Sequence, residues 1–237
     1  MPNPFVISSD KRTGSHFLQT GLHEHSLVHC RGERYRWPNP SQFEDETRPD
    51  WFDAMFRYGA ENGVQWSGVV LQRMDCGRGG PYENLRDRIK AVHPDVQVIR
   101  LYRKNLFAQF VSWRLACERK GFNYYKGDKP LPECTLMLPR REMFRWLDNV
   151  TRRWKDEPKE WEGVGQLVVY YEDLVADYAG TTARVFEFLG LAPEPVEPLT
   201  LRANPKPLPE VVVNYTEAVG WLKAHPSWRY LVQNFGL

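Results

Sequence analysis

Residues 5–18, FVISSDKRTGSHFL, constrain this chain more than any other stretch. Phe5, Val6 and Ile7 form a short apolar run with β-branched content, the pattern of a buried strand. Composition then flips. Residues 8–16 are small, polar and basic, with one glycine, Gly14. Phe17, Leu18 and Leu22 return at helical spacing, so the stretch predicts strand, tight loop and helix. The first N–H groups of a helix lack intrahelical partners, and the helix dipole favours negative charge there. Lys11 and Arg12 add charge, Thr13 and Ser15 add hydroxyls, and Gly14 allows close backbone approach. The expectation is a phosphate cradle; the competing reading is a strand–turn–helix with solvated charges. The Gly-Lys-Ser/Thr order of the common NTPase loop is missing, because Lys11 and Arg12 precede the only glycine.

A chain of 237 residues with 42% hydrophobic content can build one sizeable core, and the simplest organisation is a single α/β domain over residues 1–237. The net charge of +2 gives no global basic field, so no nucleic-acid partner is expected and any anion site must be local. Cys30, Cys76, Cys117 and Cys134 are spread singly, without metal-ligand spacing, which fits reduced thiols. No signal-peptide pattern and no run of about 18 apolar residues occurs. The expectation is a cytoplasmic protein without a membrane span.

Further strands are expected at residues 26–30, 66–71, 96–102 and 166–170. Arg31 to Arg36 follow the first of these as a polar loop of the kind that lines a ligand crevice in parallel α/β folds. Within it Glu33 is either a general base or a member of an ion-pair cluster with its arginine neighbours. His23 and His25 alternate, but no third metal ligand is evident. Residues 37–50 predict a loop, residues 50–62 a helix capped by Asp50, and residues 76–81 a flexible connection. Helices are expected over 83–92 and after residue 105, the latter with Leu106, Phe110, Trp113 and Cys117 as its stripe. Residues 122–138 read as irregular. Residues 139–156 predict an amphipathic helix buried through Met143, Leu147, Val150 and Trp154. The last strand runs into Tyr171-Glu172-Asp173-Leu174 and a helix expected to carry Val175, Tyr178, Val185 and Leu189 on one side, with Gly190 closing it. Residues 193–209 are proline-rich and extended, and two short helices finish the chain near Thr216 and Ser227. Arg103 and Lys104, with Ser112 in the next helix, form a second strand–cation–helix unit; a ligand with two separated anionic groups would suit the pair.

These pieces resemble the PAPS-dependent sulfotransferase family, especially its bacterial carbohydrate and small-molecule branch. Three motifs carry the likeness. SSDKRTGSH (8–16) is similar to the family's 5′-phosphosulfate loop, with Arg12 on its basic position, Gly14 on its glycine and Ser15 on its hydroxyl residue. VIRLYRKNLFAQFVSW (98–113) is similar to the 3′-phosphate segment, with Arg103 or Lys104 and Ser112 in its roles. LVVYYEDLVADYAGTTARVFEFLGL (167–191) follows the family's Tyr-Glu-Asp-Leu…Phe-Leu-Gly-Leu stretch. The tail at residues 202–214, with Arg202 and Lys206, resembles a basic loop near the donor. Departures are Lys11 where proline or glutamine is usual, His16 where threonine is common, and Val69-Val70 where many relatives carry a lysine.

The resemblance implies a P-loop-like fold: a central, mostly parallel sheet flanked by helices. It also implies transfer of a sulfuryl group from PAPS to a hydroxyl or amine of a carbohydrate or small molecule, with no metal needed. Lys11, Arg12, Thr13, Gly14, Ser15 and His16 would hold the phosphosulfate, and Arg103, Lys104 and Ser112 the 3′-phosphate. Arg202 and Lys206 would assist. Arg12, helped by Lys11, would stabilise the leaving oxygen. Glu33 would be the base, because bacterial relatives place a glutamate after a glycine in this loop, with His16 and His29 as rivals. A homodimer is implied by the same likeness. Trp37, Trp66, Tyr124 and Tyr125 are candidate acceptor walls. Two other classes compete: a nucleotide-dependent kinase of similar architecture, revealed by Mg²⁺ and ATP turnover, and a non-catalytic nucleotide-binding module, revealed by binding without consumption of donor.

Overall fold

Short apolar strands separated by helices produce a sheet in which every neighbour is parallel. In this computed structural model, which describes residues 1–33, 56, 63–76, 84–119, 125–129, 131–200 and 206–237, the strands are β1 (Asn3–Ser9), β2 (Val28–Arg31), β3 (Trp66–Gln72), β4 (Gln97–Tyr102) and β5 (Gln166–Tyr170). Their order is β2-β3-β1-β4-β5. Val6 sits opposite Val69 on one side and Val98 on the other. The chain forms two units, Met1–Tyr102 with Lys155–Leu199, and Arg103–Trp154 with Thr200–Leu237.

The first unit holds the sheet. Because side chains alternate along a strand, β1 feeds two cores. Phe5 and Ile7 join Val70, Ile99 and Val169 on one face, under α1 (Ser15–Glu24) and α7 (Tyr178–Phe188), through Leu18, Leu22, Val185 and Phe186. Val6 joins Val69, Leu71 and Val98 on the other, under α3 (Leu85–Val92) and Trp161. Each fully buried side chain of this size contributes about 1.5–3 kcal/mol, so β1 is held from both faces. A short helix, α2 (Arg73–Cys76), follows β3 directly, and α6 (Tyr171–Ala176) follows β5. The expected helix stripe from Val175 to Leu189 is divided between two helices: Asp177 leaves helical geometry and its Oδ1 accepts the Gly180 N–H at 2.8 Å, capping α7. Val175 is therefore exposed rather than buried.

The second unit is helical. α4 (Leu106–Arg119), α5 (Arg140–Glu160), α8 (Leu208–Val211), α9 (Tyr215–Ala224) and α10 (Arg229–Phe235) supply a core of Phe107, Phe110, Leu115, Met143, Leu147, Val150, Leu222 and Leu231. The expected stripe of α4 is buried at Leu106 and Phe110, with Trp113 packed against the same core; the buried face is wider, taking in Phe107, Val111 and Leu115, and Cys117 is exposed. Helix α5 runs past its expected end at Asp156 and through Pro158, to Glu160. A proline there removes the bond to the residue 154 carbonyl, and the two units divide after Trp154. Residues 125–129 and 131–138 lack regular elements, as expected, apart from bridges of Tyr125 to Thr200 and Leu136 to Val212. The expected loop at 37–50 and the helix at 50–62, except Phe56, lie outside the described residues. So do most of the connection at 76–81 and residues Arg34, Arg36, Arg202, Asn204 and Tyr124. Among the described residues no helix is long and apolar enough to cross a membrane.

Candidate active site

β1 is the central strand, and the chain leaves it in one direction for β2 and returns on its other side as β4. Its C-terminal end is thus the switch point at which open parallel sheets bind ligands. The loop Asp10 to Gly14 occupies that point. Arg12 has φ +64°, alone among described non-glycine residues in being positive, and Gly14 has φ +86°. Alternating left-handed positions turn successive backbone N–H groups to one side, the geometry of an anion nest. A non-glycine residue held there costs about 1–3 kcal/mol, so the surroundings must hold it. Part of the hold is Thr13, whose buried hydroxyl donates to the Asp10 carbonyl oxygen at 2.8 Å. Helix α1 starts from Gly14 with no side-chain cap and no acidic residue in its first turn. Its N-terminal donors and dipole are left to face an external anion. Tyr171 braces the loop from above: a Cβ on Gly14 would lie 2.6 Å from Tyr171 Cδ2. The Tyr-Glu-Asp-Leu stretch thereby packs on the basic loop.

Beside the loop the structure assembles a second group. The His16 ring lies against Gly32, with Cε1 3.2 Å from where a Cβ on Gly32 would stand. Burial lowers the His16 pKa; Glu33 opposes the shift and Arg12 adds to it. The imidazole is therefore a neutral acceptor at pH 7. Gln72 Nε2 donates to Glu33 Oε1 at 2.6 Å. The sequence reading missed Gln72, and no pattern around it marks it. Val69 and Val70, which stand where many relatives carry a lysine, are both core residues; β3 presents its polar groups at its end, as Gln72 and then Arg73.

Beneath the loop lies a buried charged cluster that the sequence reading also missed. Arg73 Nη2 donates to the Ser8 carbonyl at 2.8 Å and the Leu101 carbonyl at 3.0 Å, tying β1 to β4. Its Nη1 stands 3.4 Å from Asp10 Oδ2, and its Nε 2.6 Å from Glu157 Oε2. The guanidinium also lies 4.3 Å from the Tyr102 ring centroid. Glu157, in the last turns of α5, is fully buried; it accepts from the Ser8 hydroxyl and from Tyr102 Oη at 2.5 Å. Arg100 Nη2 donates to Tyr102 Oη at 2.7 Å. Burial works against the charge on Arg73, but Glu157 and then Asp10 outweigh it and its pKa is raised. Removing one member of such a pair leaves a buried charge and costs about 3–5 kcal/mol.

Arg103 is half-buried and Lys104 exposed, immediately after β4, and Ser112 lies within α4. Asn105 Oδ1 accepts the Ala108 N–H at 2.9 Å, capping α4. Lys206 Nζ donates to Glu133 Oε1 at 2.5 Å on an exposed surface. His23 Nδ1 accepts the Cys30 N–H at 3.3 Å, and the His25 ring meets the Ala192 carbonyl at 3.0 Å, so both histidines have structural partners. His29 is buried, its ring edge-on to His23. Among the described residues no group of three or more histidine, cysteine or acidic side chains is placed to hold a metal. Trp66 packs edge-on against Phe5, which makes it core rather than acceptor wall.

A match to the sulfotransferase family spans residues 82–195. It includes β4, β5 and the Tyr-Glu-Asp-Leu stretch, and begins after the basic loop. Nodulation protein H of Rhizobium meliloti is 24% identical over 229 residues, covering 91% of this chain and 90% of that protein. Two solved structures share the fold. The sulfotransferase domain from the curacin biosynthetic pathway is 13% identical with a TM-score of 0.54, covering 100% of this chain and 98% of its own. The sulfotransferase domain from the Synechococcus PCC 7002 olefin synthase is 16% identical with a TM-score of 0.52, covering 100% and 95%.

Proposed function

We infer that this chain, a sulfotransferase-family protein over residues 82–195, is an enzyme that moves a sulfuryl group from PAPS to a hydroxyl or amine of a carbohydrate or small-molecule acceptor. The observation that carries the donor assignment is the loop: Arg12 and Gly14 at positive φ, leading into the uncapped N-terminus of α1. That arrangement suits the 5′-phosphosulfate of PAPS, which supplies the sulfuryl group. Backbone N–H groups of Thr13 to His16 and the Ser15 hydroxyl hold its phosphate. Thr13 contributes backbone rather than hydroxyl, since its hydroxyl is given to Asp10. Arg12 stabilises charge on the leaving oxygen, with Lys11 beside it. By the likeness of their segment, Arg103, Lys104 and Ser112 take the 3′-phosphate, with Arg202 and Lys206 as further donor contacts.

Sulfuryl transfer spreads negative charge over the moving group and its leaving oxygen, so positioning and fixed cations dominate, as in phosphoryl transfer. Glu33, oriented by the Gln72 amide, accepts the acceptor's proton; His16, kept neutral by burial, is the alternative acceptor at the same corner. The free thiols of all four cysteines support a cytoplasmic setting, and we propose that a single functional domain spans residues 1–237, assembled as a homodimer.

Titration calorimetry with 3′,5′-ADP, against ADP lacking the 3′-phosphate, tests the donor assignment. Tight binding of the first and weak binding of the second is expected. Binding of neither overturns the assignment, and equal binding of both moves it to the nucleotide-dependent kinase.

A further inference from the structure

Asp10 is an unexpected residue in a loop that binds an anion. It directly precedes Lys11 and Arg12, and its carboxylate is buried rather than turned to water. A carboxylate within a few ångströms of a bound phosphate, in a medium of low dielectric, repels it strongly. Solvent does not screen this one. Arg73 meets it instead, with Nη1 3.4 Å from Asp10 Oδ2 while Nη2 holds the Ser8 carbonyl two residues upstream. The same guanidinium thus grips the strand that enters the loop and the acid that begins it. Glu157 holds Arg73 through Nε, and Arg100 stands 3.7 Å from Glu157, so each carboxylate of the cluster faces a cation.

We propose that Arg73 is a positioning residue for the donor: it screens the Asp10 carboxylate, so that a loop containing an acid can still hold an anionic phosphosulfate. This rests on reading the loop as the phosphosulfate cradle. A merely structural role for the Arg73–Glu157 pair predicts a loss of stability when it is broken. It predicts no special relation between Arg73 and the effect of Asp10 on ligand affinity.

The test is a double-mutant cycle read by calorimetry with 3′,5′-ADP. Asp10→Asn is made in the parent protein and in an Arg73→Gln/Glu157→Gln background, where no carboxylate in α5 is orphaned. Thermal unfolding verifies that each variant is folded. With Arg73 present, Asp10→Asn should change Kd by less than about threefold; with Arg73 gone, it should tighten binding about tenfold or more. An equal effect of Asp10→Asn in both backgrounds overturns the screening role and leaves the cradle intact. Should the Arg73→Gln/Glu157→Gln protein not fold, Asp10→Asn in the parent decides alone: tightening by about tenfold there means an unscreened carboxylate and overturns the proposal, while a change below about threefold supports it. A parent protein that does not bind 3′,5′-ADP overturns the cradle and this inference together.

Discussion

Two stretches of this chain have the same outline, a strand ending in cations followed by a helix, yet they are built on different principles. After β1 the helix begins at Gly14 without a side-chain cap, and the loop before it is forced into left-handed geometry at Arg12. After β4 the helix begins at Asn105, whose side chain accepts the Ala108 N–H at 2.9 Å. The first therefore presents backbone donors that no side chain caps, on a loop held in place by Thr13, Tyr171 and the buried Arg73. The second has its Ala108 N–H capped from within, and its cations and hydroxyl are side chains: Arg103, Lys104 and Ser112. Backbone donors fixed by burial suit a group whose charge changes during reaction, because nothing need reorganise. Flexible side chains on a capped helix suit a group that is only held.

If that division is right, the largest effect comes from Arg12→Ala. Loss of one preorganised donor to developing charge costs about 10²–10³ in kcat. The check is the rate of sulfuryl transfer at saturating PAPS, beside the same measurement on Lys104→Ala, which should act mainly on donor KM. Comparable loss of kcat in both variants would erase the distinction between the two stretches.

The next effect compares the two helix starts directly. Gly14→Ala forces a Cβ against the Tyr171 ring at a φ of +86°, and should destabilise by about 1–3 kcal/mol. It should also weaken 3′,5′-ADP binding, because the loop must shift to relieve the clash. Asn105→Ala removes one cap and should cost about 1 kcal/mol. It should leave ADP binding as it was, since that ligand lacks the 3′-phosphate. Urea unfolding and calorimetry on both variants give the four numbers. A Gly14→Ala protein as stable and as tight-binding as the parent would mean that the loop yields freely.

The outline of both stretches was legible because it is local. The apolar run at Phe5 to Ile7, the flip to small basic residues and the return of Phe17, Leu18 and Leu22 all lie within one short window, and periodicity reads such windows well. What holds the loop was illegible because it comes from elsewhere in the chain. Arg73 lies just past the expected strand at 66–71, and Glu157 just past the expected helix at 139–156, and neither belongs to a motif. Ser8 and Glu157 are 149 positions apart. No spacing rule links them; only the parallel sheet, with β3, β1 and β4 side by side, brings their ends together. Gln72 is hidden for the same reason, at the end of an apolar strand and bonded to Glu33 from 39 positions away. Helix α5 continues past its expected end at Asp156 and through Pro158, where Glu157 is anchored on both oxygens by Ser8 and Tyr102.

The smallest effect separates the stretches by their response to pH. The segment after β4, residues 103–112, carries no histidine. The loop after β1 carries His16, whose pKa is lowered from 6.5 chiefly by burial, with Arg12 adding to the shift and Glu33 opposing it. The unfolded chain therefore binds a proton at pH values where the folded chain does not. The contribution of the neutral imidazole is complete above about 6.5 and is lost as pH falls through the lower folded-state value. Stability by urea unfolding should fall more steeply below pH 6.5 in the parent than in His16→Gln. Asn105→Ala, altered in the other stretch, should keep the parent's slope. Parallel curves for the parent and His16→Gln would mean that His16 is as free to protonate in the fold as out of it. The close packing of its ring against Gly32 would then do nothing to hold a neutral acceptor beside Glu33, and Glu33 alone would be left as the base at that corner.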